Sequence, residues 1–214
     1  SPMSLRGCFI ALEGIDGAGT TTQSKELQQR LREVGVPFIQ TAEPSAGEVG
    51  RLIRKRLGDV ETPPDPASMA LLFAADRLDH WRDEIDPALS RGHWVISDRY
   101  VWSSLSYQSQ THPLSWVQSL NKHAPQPHLT ILVDVDPKET GRRLGVEGRK
   151  KEIYDDLELQ KSIRRVYLEL LSQADAERAV KVDGSQGVGE VAEDIWRAVS
   201  ERLYSSWTSK ETGR

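Results

Sequence analysis

"EGIDGAGTTTQ", Glu13 to Gln23, decides how this chain is read. Gly14, Gly19 and Thr21 fit the spacing G-x-x-x-x-G-K-[ST] of a phosphate-binding loop, but the lysine position holds Thr20. The stretch follows the apolar run "CFIAL" (Cys8–Leu12) and precedes Leu27, Leu31 and Val34, which repeat at i, i+4 and i+7. A strand passing through glycines into an amphipathic helix is the setting such a loop needs. Glycines let backbone N–H groups curl around phosphate oxygens, and the helix N-terminus adds partial positive charge. Thr21 keeps the hydroxyl that ligates Mg²⁺, whereas Thr20 offers one hydrogen bond and no charge. Three readings stand: a nucleotide loop that lost its cation, a chance glycine-rich turn, or a working site whose charge comes from elsewhere.

Outward from the loop, short apolar runs alternate with segments of helical period. "PFIQT" (Pro37–Thr41), "HWVIS" (His93–Ser97), "LTILVDV" (Leu129–Val135) and "AVKV" (Ala179–Val182) read as strands. The first helix is stopped by Gly35 and Pro37, and residues 67–89 form a long helical stretch punctuated near Pro87. Leu159, Ile163, Val166 and Leu170 mark another helix, and Val188, Val191, Ile195 and Val199 the last. Five strands separated by helices imply an α/β fold, a mostly parallel sheet with helices on both faces. Ligands bind beyond the C-terminal ends of such strands. The loops 13–22, 41–50, 98–108, 135 onward and 183–186 are therefore where chemistry is expected.

The chain has 214 residues, which suits one domain with a single core, expected over residues 1–204. Ser1-Pro2 ahead of Met3 reads as a cloning remnant, and 205–214 as a disordered tail or engineered addition. A net charge of −4 argues against a broad nucleic-acid surface, though a local basic pocket is allowed. The single cysteine, Cys8, lies in an apolar run, so no intrachain disulfide forms and a reducing cytoplasm is expected. The longest apolar run, Met69 to Ala75, is too short to span a bilayer, and no secretory signal is visible. The five histidines show no metal-ligand spacing and read as structural.

Between Arg142 and Lys151 stand Arg142, Arg143, Arg149, Lys150 and Lys151, opposed only by Glu147 and loosened by Gly141, Gly145 and Gly148. This is either a solvated helix end or, over about 141–153, a basic lid that closes on a nucleotide. "SDRY" (Ser97–Tyr100) puts Asp98 and Arg99 at a strand end, where they suit a metal and a phosphate. "LLFAADR" (Leu71–Arg77) sets Phe73 and Arg77 four apart on one helix face. Phe73 is either core packing or the platform for a stacked base whose edge Arg77 reads.

Together these motifs, with "AEP" (Ala42–Pro44), "DRYVWSSLSYQ" (Asp98–Gln108) and "PHLTILVDV" (Pro127–Val135), resemble thymidylate (dTMP) kinases of the P-loop nucleoside-monophosphate kinase class. The likeness runs from Phe9 to about Leu203. It implies a three-layer P-loop kinase fold, Mg²⁺-ATP as donor, dTMP as acceptor and a homodimer. It implies an ATP-binding set of Gly14, Gly17, Ala18, Gly19, Thr20, Thr21, Thr22, Arg143 and Gln186, and a metal pair of Thr21 and Asp98. For the acceptor it implies Asp16 on the 3′-hydroxyl, Phe73 stacked on thymine, Arg77 on a thymine carbonyl, and Ser104 and Gln108 at the pyrimidine edge. Tyr107 would lie against the deoxyribose, and Arg54 and Arg99 would hold the acceptor phosphate. Asp16, Asp98, Arg99, Arg143 and Arg149 would form the catalytic set, the lid supplying the charge that Thr20 lacks.

Three positions depart from the family pattern: Thr20 for the loop lysine, Ala42 where arginine is common, and the bulky Trp102 near the expected acceptor pocket. A kinase for another pyrimidine (deoxy)nucleotide and a catalytically degenerate nucleotide-binding protein are the alternatives.

Overall fold

The computed structural model describes residues 5–145 and 150–213, with the backbone alone for 150–155. Its centre is β1, Phe9–Glu13, in which all five residues are buried. Successive side chains of a strand face opposite sides, so both faces of the sheet are covered there. β2 (Phe38–Ala42), β3 (Trp94–Asp98), β4 (Leu129–Asp134) and β5 (Ala179–Asp183) complete a five-stranded sheet in the order β2-β3-β1-β4-β5. Every pairing is parallel. The crossover from β3 to β4 passes over β1, so the sheet reverses direction beside the end of β1. That reversal is where a parallel sheet opens a crevice for ligands. The expected strands lie within one residue of the observed ones at most ends, because apolar runs of four to six residues bounded by turns leave little choice.

The helix α1, Thr20–Glu33, buries Leu27 and Leu31 and ends at Gly35, whose φ of 72° only glycine adopts cheaply. The helix α2, Glu48–Leu57, occupies a stretch expected in part to be loop. Only Gly50 and Ile53 are buried on it, so it carries little apolar period to read. The helix α3, Pro66–His80, opens on Asp65, whose carboxylate accepts from Ser68 N at 2.8 Å, with proline in the first turn. It continues through a π-helical turn, Trp81–Ile85, into α4, Asp86–Ser90. Pro87 lacks the N–H that would bond to Asp83 and its ring crowds that carbonyl, so the turn before it widens.

The stretch after Asp98, expected as a loop, turns helical at once as α5, Val101–Gln108, followed by α6, Leu114–Leu120. The helix α7, Pro137–Leu144, is capped by Asp136, which accepts from Lys138 N at 2.8 Å. The helix α8, Lys150–Gln173, packs against α5, β4 and β5. The helix α9, Val188–Val199, packs on α1 and runs through a second π turn, Ser200–Tyr204, into α10, Ser205–Glu211.

Two expectations are corrected here. Residues 205–211 are not a disordered tail. Trp207 is buried with its ring edge-on to Trp94 at 5.6 Å, and its Nε1–H donates to the Arg6 carbonyl at 3.0 Å. One buried indole gives a polar helix enough apolar area to stay folded. Trp102 is also in the core, away from the acceptor cavity described below. Cys8 is buried as expected, and burial pushes its thiol up to about 12. Among the described residues, no helix is long and apolar enough to cross a membrane.

Replacing Trp207 with alanine tests how α10 is anchored. Truncating a buried indole should cost about 3 kcal/mol, lowering the urea midpoint in equilibrium unfolding. An unchanged midpoint would mean that α10 contributes nothing to the fold.

Candidate functional site

The loop after β1 takes its shape from glycine. A Cβ on Gly14 would stand 2.8 Å from the Val133 carbonyl oxygen and 2.9 Å from the Ala18 Cβ. Gly17 and Gly19 have φ of 81° and 96°, and Gly19 leads directly into α1. Thr20 is buried behind the loop, whereas Thr21 and Thr22 are exposed at its rim. The hydroxyl of Thr21 donates to Asp98 Oδ2 at 2.6 Å, while Asp98 Oδ1 is buried without a partner. A hydroxyl and a carboxylate with a spare oxygen are the hard donors that Mg²⁺ takes, so this pair fits the expected metal. Among the described residues, no three His, Cys, Asp or Glu side chains cluster to hold a metal by themselves. Phosphate and water oxygens would have to complete the shell.

Two of the cavities beside this loop gather the expected residues. One, of 350 Å³, is lined by Gly17, Ala18, Gly19, Thr22, Arg143 and Gln186 among others. It gathers most of the expected ATP-binding set, with Gly14 and Thr20 behind the loop and Thr21 turned to Asp98. Arg143 reaches from α7 onto the loop. Its guanidinium donates to the Gly184 carbonyl at 2.7 Å and the Gly17 carbonyl at 3.4 Å. Arg149 lies outside the described residues.

The other cavity, of 420 Å³, is lined by Asp16, Phe73, Arg77, Arg99, Ser104, Tyr107 and Gln108 among others. These are all the expected acceptor residues except Arg54. The α2 helix lays Arg54 over the turn at Pro44 and Ser45, where it donates to the Ser45 carbonyl at 2.7 Å and to the Pro44 carbonyl. Arg54 therefore braces Pro44, which does line the cavity, and stands outside the lining itself.

Arg77 is almost wholly buried, and most of its donors are already used. Nε–H goes to Glu43 at 2.8 Å, Nη1 to Asn121 Oδ1 at 2.5 Å, and Nη2 to the Tyr100 carbonyl at 3.1 Å and Ser104 Oγ at 2.9 Å. Of the five guanidinium N–H groups, one is left, on Nη1. Gln108 gives its Nε2 to Ser104 at 3.2 Å and keeps a buried Oε1 with no partner. Glu43 also receives His80 Nδ1 at 2.8 Å. Burial alone would lower the pKa of His80, but bonds to Glu43 and Glu84 outweigh it and hold the imidazole at about 9. His80 is thus structural, as expected, and charged.

Arg99 has φ of 73°, and it is the only non-glycine residue with positive φ among those described. Such strain gathers where function requires an unusual turn. Here it aims the guanidinium at Asp16, at 3.3 Å, and over the Tyr107 ring at 5.2 Å. Asp16 Oδ1 also accepts from the Tyr107 hydroxyl at 2.7 Å. Burial is the main cause that raises the Tyr107 phenol, so it stays a donor.

Several residues at the site carried no sequence signal that assigned them a part. Glu43 stands inside "AEP" but its role is set by what faces it. Gln160, 144 residues after Asp16, donates to Asp16 Oδ2 at 3.3 Å. Glu13 reads as the first residue of the loop, yet it ends β1, and its carboxylate is fully buried and accepts from Tyr100 N at 3.2 Å, Ser103 N at 3.1 Å and Ser103 Oγ at 2.6 Å. Burial is the chief cause that raises its pKa to about 7, against Ser103, Arg99 and Arg77, which lower it.

A glycine loop at the end of the central strand with cavities beside it fits a nucleoside-monophosphate kinase, and the family match shows that class. The chain belongs to the thymidylate kinase family, whose model matches residues 12–195. It is 41% identical over 199 residues to a probable thymidylate kinase of Pyrobaculum calidifontis, covering 92% of this chain and 98% of that protein. It is 42% identical over 205 residues to one of Pyrococcus abyssi (93% and 98%), and 36% identical over 203 residues to one of Methanococcus maripaludis (91% and 96%).

The raised pKa of Glu13 has a signed consequence. The folded state holds this proton more tightly than the unfolded chain, so the group's contribution is full below about 4.5 and fades as the pH rises through about 7. Glu13→Gln removes that titration. The variant should therefore gain stability relative to the parent between pH 5 and pH 7.5, as read from urea midpoints. A constant difference across that range would show that Glu13 titrates normally.

Proposed function

We propose that the enzyme transfers the γ-phosphoryl group of Mg²⁺-ATP to dTMP, giving dTDP and ADP. One observation carries the choice of base. Phe73, Arg77 and Gln108 line one cavity; among the described residues Arg77 keeps one uncommitted N–H and Gln108 a buried Oε1 without a partner, and the reading turns both to the base. Thymine presents a carbonyl at C4 and an N–H at N3, which match that pair. Cytosine presents an amino group and a bare ring nitrogen, which oppose both. Uracil shares the thymine edge, so dUMP is the second reading, and the methyl group alone separates the two.

In this reading an oxygen of the dTMP phosphate attacks the γ-phosphorus of ATP, and the bond to the ADP oxygen breaks. The protein's task is to bring the two phosphates into line and neutralise their charge. Arg99 holds the acceptor phosphate and Asp16 the 3′-hydroxyl. Tyr107, bonded to Asp16, closes the side of the sugar where a 2′-hydroxyl would stand. Bound between Thr21 and Asp98, Mg²⁺ would supply Lewis-acid charge at the β- and γ-phosphates. Arg143, which donates to the Gly17 carbonyl of the loop, would with Arg149 supply the charge that Thr20 lacks. A homodimer in the cytoplasm belongs to the same reading, on the family likeness alone.

A coupled ADP-release assay with dTMP, dUMP, dCMP and thymidine tests the assignment. Each of the two mismatched polar groups left unpaired costs about 1–3 kcal/mol, so kcat/KM for dTMP should exceed that for dCMP by at least about 30-fold. Equal values for the two would overturn the choice of base, and no transfer to any acceptor would favour the degenerate reading. Arg143→Ala should lower kcat by about 10²–10³, the scale of one lost transition-state donor. Thr20→Lys in that background should restore part of the rate, and rates that simply multiply would show the two positions to be independent.

A further inference from the structure

His80 lies on α3 beyond Arg77, with its ring fully buried. Nδ1 meets Glu43 Oε2 at 2.8 Å, while Nε2 meets Thr41 Oγ1 at 2.7 Å and Glu84 Oε2 at 3.3 Å. A carboxylate only accepts, so Nδ1 must carry a hydrogen for Glu43 and Nε2 another for Glu84. The ring is therefore an imidazolium that donates at both ends, and its raised pKa agrees. Thr41 faces it from β2, Glu43 from the residue after that strand and Glu84 from the π turn, while Arg77 on α3 shares Glu43 with it. The 360 Å³ cavity that His80 lines with Glu84 also carries Glu48, Asp76, Asp79 and Asp83 against Arg51 and Arg82, an acidic balance that favours the charge.

Charge balance does not call for this ring. Glu43 is already paired with Arg77 at 2.8 Å, and a second buried cation costs desolvation that an apolar ring of similar size would avoid. What the imidazolium adds is a bond on the second oxygen of Glu43. Arginine and carboxylate favour a two-bond fork. Were Oε2 free, Glu43 would turn it to Nη2, the guanidinium nitrogen on the same side as Nε. That would draw Nη2 away from the Tyr100 carbonyl and Ser104 Oγ, its partners here.

We propose that His80 is a positioning residue for base recognition: by holding Oε2 of Glu43 it denies Arg77 the fork and keeps the guanidinium on Ser104, turned to the base. The inference rests on the proposed function, which sends the last N–H of Arg77 to the C4 carbonyl of thymine. It places control of that donor behind Glu43, on a residue outside the expected acceptor set.

The test compares His80→Asn with His80→Gln. The amide nitrogen of asparagine stands as many bonds from Cβ as Nδ1 does, and that of glutamine as many as Nε2. Asparagine therefore keeps the donor for Glu43, and glutamine moves it to the other side of the ring's place. In the coupled ADP-release assay, His80→Gln should lower kcat/KM for dTMP about tenfold, mainly through KM, as the bond from Arg77 to the base is misaligned. For dCMP the change should be less than about threefold, because cytosine offers that donor no acceptor, so discrimination narrows. The KM for ATP should not move. His80→Asn should stay within about threefold of the parent for both acceptors. Independently of activity, ¹⁵N NMR of the parent at neutral pH should show a hydrogen on both nitrogens of the His80 ring. A bare Nδ1 overturns the proposal whatever the kinetics, and this measurement stands even where a substitution unfolds the protein. Equal losses in the two variants, equal losses for dTMP and dCMP, or a His80→Gln variant that behaves as the parent also overturn it, and leave the proposed function in place. A parent that uses dTMP and dCMP alike would sink the proposed function, and this inference with it. Thermal midpoints within a few degrees of the parent would show that both variants fold.

Discussion

Glu13 carries a carboxylate out of water at the end of the central strand, and among the described residues no lysine or arginine is bonded to it. Such a group costs several kcal/mol unless hydrogen bonds replace the lost water. The replacement comes from the start of α5: two backbone N–H groups and the hydroxyl of Ser103. Those N–H groups belong to a helix end that has no side-chain cap of its own. One carboxylate therefore satisfies itself and caps the helix that bears Ser104, Tyr107 and Gln108. It also lies between the fields of Arg77 and Arg99. This contact ties the end of β1, where the glycine loop begins, to the helix that lines the cavity.

Beside the cavity that Phe73 and Gln108 line, a buried ion pair holds one arginine rigid. Glu43 pairs with Arg77 and with charged His80, so two cations share one anion inside the fold. An arginine held this tightly is poor evidence for added stability, because desolvation consumes most of the attraction. It has another use. With four donors committed, the guanidinium cannot turn, and its last N–H points in one direction. Ser104 receives both Arg77 and Gln108, which fixes the amide and leaves Oε1 as the only free acceptor on that side chain.

The loop without lysine follows the same economy on the donor side. Thr20 is buried and carries no charge, yet Arg143 reaches the carbonyl of Gly17 from another helix. Charge at a phosphate site depends on position in space, and the chain position that delivers it is free to move.

The strands, α1 and the helix holding Phe73 and Arg77 were legible because each rests on local signals: apolar runs, glycines with forced geometry, and a 3.6-residue period. The glycines from Gly14 to Gly19 determined the loop by themselves, since any side chain at Gly14 would meet Val133 and Ala18. Other features had no local signal. The helix α2 is mostly exposed, α5 is capped from 87 positions away by Glu13, and α10 depends on a single tryptophan laid on another. The motif around Arg54 gave no sign that its guanidinium lies on the Ser45 and Pro44 carbonyls. Sequence thus settled which residue types stand at each strand end, because backbone sterics and burial act over a few residues. The tertiary structure alone decided which donors meet Asp16, which N–H of Arg77 is left over, and what pairs with Glu13. Each of these is a hydrogen bond between segments far apart in the chain, and its energy depends on a distance that no local pattern encodes.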